Sequence, residues 1–122
     1  MKKTYETGLL GESAAESYLR ENLGMTCLAR RYRTRCGEID LIMADGGTIV
    51  FVEVKTRLRA APGSGLMAVD LKKQRRIARS AVLYLMEKGW LNRSVRFDAA
   101  EITASGIIHV PGAFQPGSMF YR

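Results

Sequence analysis

Glu38-Ile39-Asp40-Leu41-Ile42-Met43-Ala44, then Asp45-Gly46-Gly47, then Thr48-Ile49-Val50-Phe51-Val52-Glu53-Val54-Lys55, is the stretch that decides the fold. Two extended runs, the second rich in β-branched residues, flank a glycine pair, and glycine accepts the positive φ that tight hairpin turns demand. A β-hairpin follows. Side chains alternate across a strand, so Ile49, Phe51, Glu53 and Lys55 share one face and Val50, Val52 and Val54 the other. On the partner strand Glu38, Asp40 and Ile42 form the corresponding set, opposed by Ile39, Leu41 and Met43. With Gly46-Gly47 as a two-residue turn, Asp40 stands opposite Glu53. With Asp45-Gly46 as the turn it stands opposite Phe51, with Glu53 a diagonal neighbour. Either register groups Asp40, Glu53 and Lys55 on one face.

Two carboxylates ~6 Å apart repel by roughly 3 kcal/mol at an effective dielectric of about 20, so grouping them on a sheet calls for a cation. Their hard oxygens suit Mg2+ or Mn2+, which bind through one or two carboxylates together with water and substrate phosphates. Lys55 beside such a site can orient water and counter developing negative charge. The competing reading of the same three residues is a cross-strand salt-bridge cluster on a solvated face.

Outward from the hairpin, the chain reads helix, three strands, helix, two strands. Leu9, Ala15, Leu19 and Leu23 fall within an arc of about 120° on a helix from Thr4 to Leu23, ended by Gly24. Glu12 lies at the centre of that arc and is expected to face the sheet, with Glu16 about 40° away as a weaker rival. A first strand runs near Thr26 to Tyr32. Leu58 to Met67 reads as a mobile loop. A second helix spans Leu71 to Lys88, with Asp70 as N-cap and Gly89 just past its end. Short strands at Val95 to Ala100 and Ile107 to Val110 precede an irregular tail over 111–122. The order αβββαββ implies an α/β fold with a mixed sheet flanked by helices, organised as a single domain over 1–122.

Charge is distributed in blocks. The 122 residues carry 19 Lys and Arg against 12 Asp and Glu, a net charge of +7. Residues 30–36 hold Arg30, Arg31, Arg33 and Arg35 without an acid, the hairpin is acidic, and Arg57, Arg59, Lys72, Lys73, Arg75, Arg76 and Arg79 follow it. Lys72, Arg75, Arg76 and Arg79 lie within a stripe of about 100° on the second helix, a geometry that tracks phosphates. The expected partner is nucleic acid. Tyr32 could stack on an unpaired base, but reads first as a core or edge-strand residue. The longest aliphatic and aromatic run, Ile49 to Val52, is far short of the ~20 residues of a membrane span, and Met1-Lys2-Lys3 leads into no signal-peptide core. A cytoplasmic location without membrane contact is expected. Cys27 and Cys36 lack metal-ligand spacing and read as reduced, partly buried thiols. His109, the single histidine, reads as structural. Gly63-Ser64-Gly65 lacks the Lys-Ser/Thr of a phosphate-binding loop.

Gly37-Glu38-Ile39-Asp40-Leu41-Ile42 followed by Val52-Glu53-Val54-Lys55-Thr56-Arg57 resembles the bacterial YraN family. The resemblance extends to Gly8-x-x-Gly11-Glu12 with Ala15 and Tyr18-Leu19, to Lys73-x-x-Arg76 with Ala81 and Tyr84-Leu85, and to Arg96-Phe97-Asp98. That family is similar to archaeal Holliday junction resolvases, within the restriction-endonuclease-like superfamily and its PD-(D/E)xK motif. The resemblance implies a restriction-endonuclease-like core, metal binding by Asp40, Glu53 and the Val54 carbonyl, and a catalytic set of Glu12, Asp40, Glu53 and Lys55. Ile39 replaces the motif proline, and Arg31 stands where these sequences often carry asparagine. The implied function is a Mg2+- or Mn2+-dependent endonuclease on structured or branched DNA. Its DNA contacts would come from Arg31, Arg33, Arg35, Arg57, Lys72, Lys73, Arg75, Arg76 and Arg79. The rival is a non-catalytic nucleic-acid-binding module of the same fold, and a third class is an assembly protein whose basic stripe meets an acidic partner. Resolvase-like nucleases cut two strands with paired sites, so a homodimer is also an expectation, although no heptad in the sequence demands one.

Overall fold

A computed structural model of the chain describes residues 2–59 and 70–115. In chain order the elements are α1 (Lys2–Leu23), β1 (Thr26–Thr34), β2 (Gly37–Asp45), β3 (Thr48–Arg57), α2 (Leu71–Lys88), β4 (Ser94–Thr103) and β5 (Gly106–Val110). This is the αβββαββ order expected. Most of the loop expected from Leu58 to Met67, and the tail from residue 116, lie outside the described residues.

The five strands form one sheet in the order β1-β2-β3-β4-β5. All neighbours are antiparallel except β3 and β4, which run parallel from Thr48↔Ser94 to Arg57↔Thr103. Parallel neighbours need a crossover, and α2 provides it. The β2–β3 turn is Gly46-Gly47, since Asp45 pairs with Thr48. Gly46 takes φ 60, a conformation glycine adopts without strain.

The sheet buries both faces, one under each helix. On the α2 side Ile39, Ile42, Ile49, Phe51 and Phe97 pack with Ile77, Ala81, Tyr84 and Leu85. On the α1 side Leu41, Met43, Val50, Val52 and Ala100 pack with Ala15 and Leu19. The valine-rich character of β3 follows, because a central strand covered on both faces has no solvent side. Asp70 caps α2 by accepting from the Lys73 N–H at 2.8 Å. Gly89 (φ 73) closes its other end, with the Trp90 N–H donating to the Leu85 carbonyl.

Two expectations need correction. Leu23 is 44% exposed rather than part of the buried arc, because Gly24 turns the chain and Met25, 4% exposed, enters the core in its place. Ile39 belongs to the α2-side cluster rather than to the face of Leu41 and Met43. The alternation breaks where Arg31, opposite Asp40, takes the left-handed φ of 47, between the pairs Arg30↔Leu41 and Tyr32↔Ile39. Tyr32 is a packing residue: it meets Tyr84 edge-on at 5.1 Å and donates its hydroxyl to Glu87. Cys27 and Cys36 are free, partly buried thiols. His109 bonds Asp98 at 2.8 Å.

Candidate functional site

The β2–β3 ladder is paired as far as Leu41↔Val52. Beyond it, where Asp40 would face Glu53, the Asp40 carboxylate accepts a hydrogen bond from the Val54 backbone N–H at 2.8 Å. A side chain thus takes the place of the next ladder bond. Asp40 and Glu53 both line a cavity of about 430 Å3 on the α2 side, with Gly37, Glu38, Asp70, Lys72, Lys73, Arg76 and Ile77.

Glu53 is buried at 5% exposure, and two lysines meet its Oε1. Lys55, two residues on along the same strand face, stands 3.4 Å away. Lys73, from the first turn of α2, makes the closer ion pair. Burial pushes the Asp40 carboxyl up to about 8, reinforced by the neighbouring Glu53 charge and, more weakly, by Glu12. Burial lowers Lys55, and the adjacent Lys73 adds to that. Burial also opposes the charge on Lys73, but its bonds and attraction to Glu53 outweigh it and leave the group above the usual lysine range.

Glu12 approaches from α1, as its place on that helix led us to expect. The approach is close because Gly11 lacks a side chain: a Cβ there would fall 2.2 Å from the Thr56 hydroxyl. The Glu12 carboxylate accepts from Arg31 Nε at 2.8 Å. Burial raises its pKa against the opposing effect of Arg31. Glu16, the rival, is held elsewhere by Arg30, whose Nη2 donates to it at 2.7 Å.

Asp40, Glu53 and Lys55 are therefore brought together, with Glu12 at the edge of the group. Neither Glu12 nor Lys55 lines the cavity. Of the residues expected to meet DNA, Lys72, Arg75, Arg76 and Arg79 project from α2 as exposed side chains, and Arg35 is exposed on the β1–β2 turn. Hydroxyls of Thr34 and Ser80, 2.8 Å apart, tie that turn to α2. Arg33 pairs with Glu38 at 2.6 Å, and Arg57 is half-buried. Arg31 and Lys73 point instead to carboxylates of the site. For Lys73 the sequence held a usable signal: it lies one helical turn before Ile77, on the core side of the basic stripe. Glu101 was missed altogether. It is fully buried and is the register partner of Lys55 on the parallel strand, so it shares that face.

Among the described residues no three His, Cys, Asp or Glu side chains are arranged to hold a metal ion. The available donors are two carboxylates, Asp40 and Glu53, and the Val54 carbonyl, which in an antiparallel strand projects to the same neighbour as its N–H. That set fits Mg2+ or Mn2+, which bind through few carboxylates and complete their shell with water. The fit has an electrostatic basis too, since a divalent cation would favour the ionised Asp40 that burial disfavours.

A model of the uncharacterised protein family UPF0102 matches residues 11–102. A UPF0102 protein of Geobacter metallireducens is 45% identical over 112 residues, covering 88% of this chain and 91% of the relative. A UPF0102 protein of Geobacter sulfurreducens is 42% identical over 113 residues, covering 88% of each. The crystal structure of SSO0001 is similar over 93% of this chain, with a TM-score of 0.44 and 16% identity, and the chain spans 55% of that structure's length. Among the described residues no helix is long and apolar enough to cross a membrane.

Proposed function

The chain belongs to the uncharacterised protein family UPF0102, and from that premise we propose that it is a Mg2+- or Mn2+-dependent endodeoxyribonuclease acting on structured or branched DNA. The observation that carries this reading is the pairing of half-buried Asp40 with buried Glu53 at the point where β2 and β3 part, with Lys55 on the Glu53 carboxylate. Burial and the neighbouring Glu53 charge make the ionised Asp40 unfavourable in the folded chain, and groups perturbed in this way cluster where chemistry is done.

Asp40, Glu53 and the Val54 carbonyl would hold the cation, which when bound supplies Lewis acidity at a phosphodiester and lowers the pKa of water. The Asp40–Val54 bond fixes one carboxylate oxygen, so the acid is oriented before any ligand arrives. Lys55, 3.4 Å from the Glu53 carboxylate and with its proton made easier to lose by burial, would orient the attacking water and exchange a proton with it. The exposed arginines of α2 and of the β1–β2 turn would hold the DNA backbone along the cavity mouth. Paired copies acting on two strands are part of the same proposal.

A second reading draws support from Lys73. Its ion pair supplies Glu53 with a counter-charge from within the chain, which suits a nucleic-acid-binding module whose acids do no chemistry. Incubating the protein with single-stranded, duplex, flapped and four-way DNA in Mn2+, Mg2+ or EDTA decides between them, with Asp40→Ala as control. Metal-dependent cleavage lost in the variant supports the nuclease. Tight binding of all forms of DNA without cleavage under any condition leaves the binding module.

A further inference from the structure

Lys73 is the third residue of α2, and its backbone is fixed: its own N–H is the one that Asp70 caps. Its side chain is 37% exposed, with an ammonium against a carboxylate that is 5% exposed. The same Glu53 oxygen also carries Lys55 at 3.4 Å. The two lysines differ in attachment. Lys55 rises from the strand beside Glu53, whereas Lys73 reaches in from the helix opposite, across the cavity mouth lined by Lys72 and Arg76. A four-carbon stem anchored at the rim can swing between the carboxylate and the solvent without any change of backbone.

We infer that Lys73 is an exchangeable internal cation: it neutralises Glu53 until a divalent metal takes that carboxylate, and then turns outward to contact a DNA phosphate at the cavity mouth. The inference rests on the metal-dependent reading of the site. It makes Lys73 a positioning residue that couples the two ligands, because the energy of its pair with Glu53 opposes metal binding while its release adds a phosphate contact. Coupling of this kind is reciprocal: DNA that captures the freed ammonium tightens metal binding. It also accounts for a basic residue standing on the core side of an otherwise exposed basic stripe.

The test uses Lys73→Met, Lys73→Arg and, as a rim control, Lys72→Met. Metal affinity is read from the Ca2+ and Mg2+ dependence of thermal unfolding without DNA. DNA affinity is read on a non-cleaved duplex across a salt series, in EDTA and in Ca2+, which takes the same oxygen donors. Lys73→Met should bind metal about tenfold tighter, equivalent to about 1.4 kcal/mol, while Lys73→Arg stays within a few-fold of wild type. In Ca2+ the salt slope of Lys73→Met should fall by about 0.9, the loss of one phosphate contact, and in EDTA it should equal wild type. Lys72→Met should lose the same slope in both media. An unchanged metal affinity, or an equal loss of slope with and without Ca2+, overturns the inference while leaving the nuclease reading standing. A wild-type protein whose melting ignores both cations overturns the metal site, and the inference with it.

Discussion

Asp40→Asn should make this protein more stable, and by an amount that depends on pH. Burial and the Glu53 charge raise the Asp40 carboxyl to about 8 from an ordinary 3.8. Between those values the folded chain holds a proton that the unfolded chain has released, so wild-type stability falls as pH rises across that window and levels off above about 8. Each pH unit is worth at most about 1.36 kcal/mol, which sets a ceiling of about 4 kcal/mol at pH 7. Asparagine has no proton to lose, keeps an oxygen for the Val54 N–H and offers an amide donor towards Glu53. We expect Asp40→Asn to gain about 2–4 kcal/mol at pH 7.5 in EDTA, or roughly 6–15 °C in Tm for a domain of this size. Its stability should be nearly flat from pH 6 to 8, while wild type declines. Saturating Mg2+ should remove much of the wild-type decline and leave the variant almost unmoved. Urea unfolding at four pH values, with and without Mg2+, measures all of this. The reasoning fails if the variant is less stable than wild type at pH 7.5 in EDTA, since Asp40 would then be held by favourable pairing.

Lys55→Ala should abolish cleavage while leaving DNA affinity within a few-fold of wild type, whereas changing Arg75, Arg76 and Arg79 together to glutamine should weaken binding across all substrates and flatten its salt slope by up to about 2.7. Gel-shift titrations in a salt series, run beside a cleavage assay, separate the two. Gly11→Ala should cost about 1–3 kcal/mol by crowding the Thr56 hydroxyl, despite the better helix propensity of alanine, and should move Glu12 away from Asp40; chemical denaturation and amide shifts at Asp40 report both effects. Asp98 is fully buried, and although burial alone would raise it, its bonds to Arg96, the Gly112 N–H and His109 hold it below the usual carboxylate range. The stability it contributes is therefore present at neutral pH and lost as pH falls through its lowered pKa. Asp98→Ala should cost about 2–4 kcal/mol at pH 7 by leaving His109 and the Gly112 N–H without their acceptor and Arg96 with Asp45 alone, and equilibrium unfolding at pH 7 measures it.

Much of the fold was legible because it is written in local chemistry. A glycine pair between two apolar runs marks the β2–β3 hairpin, with the choice between two registers left to the structure, and Asp70 and Gly89 mark the ends of α2. Glu12 was legible from its angle on the helix, and Asp40, Glu53 and Lys55 from strand alternation. What escaped depends on the third dimension. Arg31 in a left-handed conformation has no local sequence sign, so the break that places Ile39 under α2 could not be foreseen. Lys73, although its place one turn before Ile77 puts it on the core side of α2, finds its carboxylate partner only when the parallel crossover lays α2 over the acids. Glu101 needs the pairing of strands 46 positions apart.

That parallel pair also orders the events of folding. β1, β2 and β3 close through neighbouring turns, so Asp40 and Glu53 come together through contacts local in the chain. Lys73 and Glu101 join only after a crossover whose loop entropy must be overcome first, and non-local pairings of this kind are slow. The three-stranded meander is therefore expected to assemble its acid pair before its helical counter-ion is in place. Cations in solution should act on that early step, so dissolved Mg2+ should quicken refolding as well as steady the finished molecule, and an Asp40→Asn chain should fold fast in its absence.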